Sequence, residues 1–560
     1  MKKFGMACAG ILLTVSIGVA LQRANDSSDL SVVNRIRDEA LNHSQVMKHM
    51  LYLTDVHGPR LTNSPGYDAA ADWIVGQAKK WGLENAAKEK WGPYGRGWSA
   101  SHFSAQLVEP QYALLIGVPL AWTPGTNGVV AGTPLYAPLN RDDDLDRYRA
   151  EVEKYMAQYR GKLKGQIVLL GEKPEVKVQE TAAMRRYSAN ELTERAAAPD
   201  PLEPIAIDFR NPRIPTDPQE RRRFFAYAPR YVTQVFQRQR EELRNRLNRF
   251  LVEEGARLLV LPAQRGDGGT VFPPVVASYK TDASTPPPSI ALTPEHYNRI
   301  LRLLEEKVPV RIEMEVKARF HEDTLESANV VAEIPGGSKK DELVIIGAHL
   351  DSVDAAGTGA TDNAAGSAVM MEAMRLLKTM NLKMDRTVRM VLWSGEEEGL
   401  LGSRAYVKQH FGNPETMELK PEHEKVSAYY NFDNGTGKIR GIYLQSNDMV
   451  RPIFDAWLAP FRDLGATAIS IRRTGGTDHL SFDDVGIPGF QFIQDPIEYD
   501  ARTHHSNMDV YDRIQPGDLM QASGIVASFV YHTANRPEKL PRKPLPEPWP
   551  KEVQGIGNRE

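Results

Sequence analysis

The sequence comprises 560 residues, of which 41% are hydrophobic and 25% are charged, and its formal net charge is −3. A chain of this length exceeds what one hydrophobic core organises, so two or more domains are expected. The near-neutral charge argues against a polyanion-binding protein, and we expect no nucleic acid partner.

The first residues have the pattern of a secretory signal. The basic segment "MKK" precedes an apolar run over residues 9–21, and Gly18-Val19-Ala20 offers a cleavage site of small residues. This pattern predicts a signal peptide over residues 1–20, and therefore a secreted or periplasmic protein. The run is short for a membrane span, so we expect no stable membrane association after cleavage, although a retained anchor is the alternative.

The only cysteine, Cys8, lies inside this predicted signal. The mature chain would then contain no disulfide and no thiolate ligand. Any metal site in it must be built from His, Asp and Glu side chains.

Two regions with different sequence patterns follow along the chain. Residues 31–110 are polar with helical periodicity, most clearly in "GYDAAADWIVGQAKKWGL". Residues 111–325 contain short β-rich runs separated by Gly and Pro, which predict a separate inserted domain. A charged segment at about 175–250 interrupts these runs, and its pattern predicts helices. Its arginines alternate with glutamates, which favours a solvated helix face over a nucleic acid surface.

Residues 326–535 alternate between predicted strands and helices. The strands include "ELVIIGAHL", "TVRMVLWSG", "VSAYYNFD" and "GFQFIQD". Such alternation predicts a three-layer α/β/α domain around a mostly parallel sheet. Ligands of such sheets bind where loops leave the carboxyl ends of the strands. Residues 536–560 form a proline-rich tail that we expect to be extended or disordered.

Side chains that bind metals follow four of the predicted strands. They are His349, the Glu396-Glu397 doublet, Asp433 and His505, joined by Asp362 in a loop that precedes a helix beginning near Ala365. Each has an ordinary explanation when taken alone, since a glutamate pair at a helix start, for example, favours the helix dipole. Their recurrence at four strand ends of one domain predicts a metal site.

The number of donors suits two ions better than one. Zinc accepts histidine nitrogen and carboxylate oxygen, and a catalytic zinc keeps an open position. Two histidines and three carboxylates can hold a metal pair if one carboxylate bridges. One glutamate of the doublet then remains available to transfer protons during hydrolysis.

Six motifs stand in the order found in a known family. They are "GAHLDS", "TDNAAG", "WSGEEEGLLGS", "NFDNGTG", "GGTDHLSF…GIPGF" and "HHSNMD". The chain resembles the secreted co-catalytic zinc exopeptidases of clan MH, which include leucyl aminopeptidases, glutamate carboxypeptidases and carboxypeptidase Q. The resemblance is strong over about 325–535 and looser over 40–105. The β-rich middle resembles a protease-associated domain inserted into the peptidase, with an additional helical insert.

The resemblance implies two Zn²⁺ per chain and a role for each residue of the motifs. One zinc would be bound by His349 and Asp433 and the other by Glu397 and His505, with Asp362 as the bridge, Glu396 as the general base and Asp351 as the carboxylate that orients His349. An ordinary solvated loop acid is the alternative for Asp351.

Two further positions bear on the substrate. Many aminopeptidases of this family have a tyrosine immediately before the last ligand, whereas this sequence has His504, as in the carboxypeptidase Q branch. This difference leaves aminopeptidase specificity open. The glycine-containing loop Gly475–His479 resembles one that borders the substrate pocket, which makes Asp478 and His479 candidate substrate contacts. The alternative is a tight turn in which Asp478 is a cap.

The expected function is hydrolysis of terminal peptide bonds through a zinc-activated water, as an aminopeptidase or a carboxypeptidase Q-like dipeptidase. Peptides are the expected partners, and a homodimer is left open. A non-catalytic binding protein on the same scaffold is one alternative, although such proteins have lost ligands that are present here. A single-zinc acyltransferase similar to glutaminyl cyclase is another, although its relatives lack a functional second metal site.

Overall fold

The computed structural model describes residues 26–177, 179–199, 215 and 217–554. The predicted signal peptide therefore lies outside the described residues, as does part of the charged segment. Among the helices in the described ranges, none is both long enough and apolar enough to cross a membrane.

The N-terminal part is mainly helical. Its elements are α1 (Leu30–Asn42), α2 (Val46–Leu51), α3 (Pro65–Lys80) and the strand β1 (Glu84–Trp91). Ser64 begins α3, because its side chain accepts a hydrogen bond from the Tyr67 amide and a proline follows at the first helical position. The buried residues of α3 recur every three or four positions, from Tyr67 to Ala78, and this stripe faces the core.

Residues 97–321 form two sheets of their own. The strands are β2 (Gly97–Glu109), β3 (Ala113–Leu114), β4 (Gly117–Pro119), β5 (Val130–Gly132), β6 (Leu135–Leu139), β7 (Ile167–Gly171), β8 (Leu258–Pro262), β9 (Ser289–Leu292) and β10 (Arg311–His321). The first sheet is antiparallel with the order β3-β2-β10-β5, and the second is largely parallel with the order β4-β9-β8-β7-β6.

The helices of this middle region are α4 (Leu145–Tyr159), α5 (Ala189–Ala196), α6 (Pro218–Tyr227), α7 (Arg230–Glu253) and α8 (Pro294–Glu305). The core of the charged segment is mostly helical, as predicted, in α6 and α7, whereas residues 179–187 lie outside the helices. The predicted boundary of this segment, at about residue 250, falls within α7. The end of this helix belongs to the middle region, since Leu247 and Phe250 are buried in its core. Assignment of this region to the protease-associated class stays a prediction.

The remaining strands complete an eight-stranded sheet. They are β11 (Ser327–Ile334), β12 (Lys339–His349), β13 (Arg386–Trp393), β16 (Val426–Asn431), β17 (Ile439–Tyr443), β18 (Ala468–Ser470) and β19 (Gly489–Gln494), while β14 (Gly412–Asn413) and β15 (Glu418–Leu419) form a separate hairpin. The order is β1-β11-β13-β12-β16-β19-β17-β18, and β13, β12, β16 and β19 run parallel to one another. Antiparallel pairings occur on both sides of this parallel centre.

Helices cover both faces of this sheet. They are α9 (Ala365–Thr379), α10 (Leu401–His410), α11 (Arg451–Leu458), α12 (His479–Asp483) and α13 (Pro516–Asn535). Alternate residues of β12 point to opposite faces, so Val344 and Ile346 enter the larger core with α9 and α13. Ile345 enters a second core with Tyr406 of α10 and Phe482 of α12. This arrangement confirms the predicted three-layer α/β/α domain.

The described part of the proline-rich tail runs along the protein surface without helix or strand up to residue 550. Arg542 donates hydrogen bonds to the carbonyl oxygens of His423 and Val426. Farther along, the Trp549 amide donates to the Glu415 carbonyl over 3.0 Å. The tail therefore follows a defined path across the main domain.

Candidate metal centre and its cavity

The predicted metal ligands meet at one edge of the eight-stranded sheet. His349 is the last residue of β12, the glutamate doublet follows β13, Asp433 follows β16, and His505 lies in the loop after β19. Because these four strands are parallel neighbours, their carboxyl ends lie side by side. The sequence pattern and the sheet topology thus bring the candidate ligands to a single place.

Asp362 lies between two histidine–carboxylate pairs. Its Oδ1 atom is 3.1 Å from His349 Nε2, and its Oδ2 atom is 3.0 Å from His505 Nε2. On one side Asp433 Oδ1 lies 3.4 Å from His349 Nε2, and on the other Glu397 Oε2 lies 3.0 Å from His505 Nε2. The five side chains form two half-sites that share Asp362.

The chemistry of these residues fits a bound cation. Within the described residues, Asp362 Oδ2, Glu397 Oε1 and Asp433 Oδ1 are buried oxygens without a hydrogen-bond donor. Buried carboxylates at this spacing repel one another unless a positive charge or a proton compensates. Ligand atoms of His349, Asp362 and Glu397 lie within 4.8 Å of one another, as do those of Asp362, His504 and His505. The second group adds His504, which the sequence did not predict as a ligand.

Glu396 is the carboxylate of the doublet that is not paired with a histidine among the described residues. It is buried, yet it lines the same cavity as Asp362, Glu397 and Asp433. Burial raises its pKa well above the usual range, and the negative charges of Asp433 and Asp478 raise it further. Burial likewise raises the pKa of Glu397 to about 7. A divalent cation would oppose both shifts, because it favours the ionised carboxylates.

Asp351 connects a candidate ligand to the doublet. Its backbone oxygen lies 3.0 Å from His349 Nδ1, and one carboxylate oxygen lies 3.5 Å from the same nitrogen. The amides of Glu396 and Glu397 each donate to its carboxylate over 3.4 Å. Since Asp351 is fully buried, these contacts fit a positioning role and not a solvated loop acid.

Two residues that support the centre were missed in the sequence. Asp509 accepts hydrogen bonds from the amides of Thr361 (2.5 Å) and Asp362 (3.2 Å), which fixes the backbone of the bridging position. Burial raises its pKa to about 7, and Asp362 adds to the effect. Asp509 is the last residue of the motif "HHSNMD", so the motif marks its position in the sequence but does not indicate its role.

The second missed residue is the buried Arg60. Its guanidinium donates to the carbonyl oxygens of Leu350, Thr358 and Gly359 over 2.7–2.9 Å. It therefore joins the loop after β12 to the loop that carries Asp362. It lies in the region of looser family resemblance, where a single "HGPR" segment gives little indication of this contact.

The candidate substrate residues divide into two groups. His504 lines the cavity, where it stacks on Tyr499 with ring centroids 4.5 Å apart. Burial lowers the pKa of His504 to about 4. Asp478 and His479 are fully buried and do not line the cavity, and His479 contacts the Thr474 carbonyl instead. The structure therefore places only His504 of the three where a substrate can reach it.

A cavity of about 1140 Å³ lies over the candidate metal centre. Its inner wall comprises the strand-end residues Asp362, Glu396, Glu397, Asp433 and His505. Its outer wall comprises residues 225–237 of the charged segment and residues 543–550 of the tail. Tyr231 and Trp549 join these two segments with a ring contact of 5.8 Å between centroids. The volume suits a small organic ligand or a short peptide.

The sheet and the site define a class of three-layer α/β proteins with a cluster of buried histidines and carboxylates at the carboxyl edge of the sheet, which could hold a metal ion. Comparison with family models agrees with this class. Residues 329–530 match the model of Peptidase family M28. This part of the main domain is therefore similar to peptidase family M28, which confirms the resemblance seen in its motifs.

Two curated relatives match this region. Carboxypeptidase Q from Mus musculus is 31% identical over 255 residues, which cover 46% of this chain and 52% of that protein. Aminopeptidase YwaD from Bacillus subtilis is 30% identical over 214 residues, which cover 37% of this chain and 44% of that protein. The match thus spans about half the length of these relatives.

The fold as a whole has a solved counterpart. The crystal structure of a Peptidase M28 precursor from Shewanella amazonensis superimposes with a TM-score of 0.60. The alignment covers 94% of this chain and 99% of that chain at 24% sequence identity. The counterpart therefore supports the fold over most of the chain.

Proposed function

We propose that the protein is a zinc-dependent exopeptidase that hydrolyses terminal bonds of short peptides. The observation that carries this proposal is the pair of half-sites around Asp362, with Glu396 beside them in the same cavity. The relatives named as a carboxypeptidase and an aminopeptidase support the same reaction class. The outer wall limits the space over the centre, which favours a chain end over the middle of a long polypeptide.

We expect two zinc ions per chain. His349 and Asp433 would hold one, Glu397 and His505 would hold the other, and Asp362 would be shared. Histidine nitrogen and carboxylate oxygen are donors that zinc accepts, and no cysteine ligand is needed. When bound, the zinc pair supplies Lewis-acid activation of water and of the substrate carbonyl.

Glu396 is the proposed general base. Its carboxylate takes a proton from the attacking water and delivers it to the nitrogen of the leaving amine. This role needs a carboxylate beside the metal ligands that is not itself paired with a histidine, and Glu396 meets that requirement. Asp351 holds the backbone of the doublet and the His349 ring in position through the contacts described above.

Negative charge that develops on the carbonyl oxygen needs a donor. His504 lies beside Asp362 on the cavity wall, and Tyr499 is stacked on it. Burial raises the pKa of Tyr499 well above its usual value, so its hydroxyl stays protonated and able to donate. We propose that these two side chains together take the place of the tyrosine that precedes the last ligand in many aminopeptidases.

The alternatives are less well supported by the residues present. A non-catalytic binding protein would not require the complete donor set together with Glu396. A single-zinc acyltransferase would not require a second half-site at Glu397 and His505. For location, we propose secretion or export to the periplasm, on the basis of the signal pattern in residues 1–21.

The decisive experiment combines metal analysis with a substrate panel. The purified protein is reconstituted with zinc and assayed on aminoacyl anilides, free dipeptides and peptides blocked at either end. We expect hydrolysis that requires zinc, with no activity on peptides blocked at the recognised terminus. Glu396→Gln serves as the matched inactive control. A wild-type protein that binds two zinc ions but cleaves no peptide would overturn the hydrolase assignment in favour of a binding protein.

A further inference from the structure

Arg404 places a cationic group on the wall of the catalytic cavity. It lies on α10, seven residues after the candidate ligand Glu397, and lines the cavity together with Glu396 and Glu397. Its Nη1 atom lies near Gly399, in the loop that follows the glutamate doublet. Arg404 and the candidate metal ligands therefore face the same cavity.

Arg404 differs from the other cations of this wall in having no anionic partner. Arg473 and Lys543 both pair with Asp483, and Arg230 pairs with Asp484. By contrast, no carboxylate of the described residues forms an ion pair with Arg404, and its Nε atom is buried without a hydrogen-bond acceptor. A cation without a carboxylate partner gains from a new one, so an anionic ligand that reaches the guanidinium from the cavity is stabilised.

A second, smaller cavity of about 180 Å³ adjoins the first at Arg404, Arg230 and Trp549. One part of its wall is aromatic and aliphatic, with Trp91, Tyr94, Tyr279, Leu401 and Val407, and polar side chains that include Lys280 and Lys408 complete it. An apolar cavity of roughly 150 Å³ is sufficient to hold a benzene ring. The smaller cavity therefore has the size to accept one apolar side chain against its aromatic and aliphatic part.

We propose that Arg404 binds the C-terminal carboxylate of the substrate, and that the adjoining aromatic cavity accepts the side chain of the C-terminal residue. A guanidinium can bind a carboxylate through two parallel hydrogen bonds, which fixes orientation as well as charge. This inference rests on the proposed hydrolytic function and specifies its direction. The enzyme removes an apolar C-terminal residue, as a carboxypeptidase or a dipeptidase.

The test compares substrates that differ only in the charge of the C-terminus. The zinc-loaded wild-type protein is assayed on Leu-Phe and on Leu-Phe amide. We expect kcat/KM to be higher for the free acid. Arg404→Gln should lower kcat/KM for the acid roughly 10- to 100-fold, mainly through KM, because a charge-assisted hydrogen-bond pair is lost. The amide should respond little, and Arg404→Lys should recover part of the loss.

Two controls separate binding from folding. Arg149→Gln replaces an exposed arginine of α4 and should leave both substrates unaffected. Zinc content and the thermal unfolding midpoint of Arg404→Gln should match those of the wild type. An equal loss on the acid and the amide would overturn the carboxylate role, because it would indicate a general defect in the site.

The adjoining cavity has its own test. Ala405 lines it, and Ala405→Trp should fill it. We expect this variant to lose the preference for C-terminal Phe over C-terminal Ala while it still hydrolyses Leu-Ala. Unchanged selectivity would overturn the cavity assignment.

The wild-type data distinguish failure of this inference from failure of the proposed function. If the wild type hydrolyses acid and amide equally, the carboxylate role of Arg404 is wrong while the exopeptidase assignment stands. If it hydrolyses neither that pair nor any peptide of the panel, the proposed function itself fails.

Discussion

The inner and outer walls of the cavity are built in opposite ways. The inner wall consists of residues at the ends of adjacent parallel strands, so one sheet positions all of them. The outer wall joins two segments that are about 300 residues apart in sequence, through the ring contact of Tyr231 and Trp549. The inner wall is rich in buried carboxylates, whereas the outer wall carries charges held in ion pairs, such as Arg230 with Asp484.

This difference indicates that the inner wall provides the chemistry and that the outer wall controls substrate access. A sheet edge holds side chains to the small tolerances that metal binding requires, because each strand is fixed by its neighbours. Segments that rest on the surface contribute less to stability and can vary without disturbing the sheet. Changes to the inner wall should therefore affect metal content or turnover, and changes to the outer wall should affect which substrates are accepted.

The largest effect is expected from Asp362→Ala. Both half-sites lose their shared oxygen donor, so the variant should retain neither zinc, and hydrolysis should fall to background. Metal analysis of the purified variant checks this directly. Full zinc occupancy in Asp362→Ala would disprove the bridging assignment.

Glu396→Gln should come next. The amide keeps the shape of the side chain but cannot accept the proton, so turnover should fall by roughly 10²- to 10⁴-fold. Zinc content and the affinity for a competitive inhibitor should remain close to wild type. Loss of zinc from this variant would instead make Glu396 a ligand and exchange its role with that of Glu397.

Glu397→Gln should have a smaller and reversible effect. A neutral amide is a weaker zinc ligand than a carboxylate, so one ion should bind less tightly and activity should fall at limiting zinc. Titration with excess zinc should restore part of it. Activity that is insensitive to added zinc would show that Glu397 is not a ligand.

In the outer wall, Tyr231→Ala should alter selectivity more than turnover. Loss of one aromatic pair, worth about 0.5–1.5 kcal/mol, should loosen the contact between the charged segment and the tail. Peptides longer than a dipeptide should then be hydrolysed roughly 2- to 10-fold better relative to dipeptides. Tyr231→Phe keeps the ring and is the matched control. A drop in zinc content would contradict the separation of the two walls.

The smallest effect on catalysis concerns a buried group behind the inner wall. Glu372 on α9 contacts His49 and Arg375, and although burial alone raises its pKa, these hydrogen bonds hold it at about 2. Because this pKa lies below the unfolded value of 4.5, the stabilisation is complete above pH 4.5 and is lost as pH falls towards 2. It amounts to at most roughly 3 kcal/mol.

Urea unfolding measured between pH 5 and pH 3 checks this prediction. The free energy of unfolding of the wild type should fall with acidification, and Glu372→Gln should show a shallower slope. Equal slopes would show that the carboxylate is not the titrating group. At neutral pH Glu372 is fully ionised, so we expect its titration to have no effect on the turnover of the wild type.

Much of the main domain could be predicted from sequence because its signals are local. Apolar runs followed by His, Asp or Glu indicate strand ends, and parallel strands in one sheet place their ends together. The positions of the Glu396-Glu397 doublet and of Asp351 could be predicted for the same reason, because they follow predicted strands. Asp509 stands in a motif, but neither its role nor that of Arg60 could be predicted, because each acts through hydrogen bonds to backbone that is distant in sequence, and such contacts leave no periodic pattern.

The sequence by itself determined the alternating architecture, the absence of thiolate ligands after residue 8, and the identity of the candidate ligands and base. Only the tertiary structure decided that the charged segment and the tail form the outer wall, that Asp478 and His479 are buried away from the cavity, and that Arg404 has no anionic partner among the described residues. The physical reason is that periodicity and motif order are properties of neighbouring residues. Burial, pairing and cavity walls depend on which distant segments pack together, and that is settled only when the whole chain has folded.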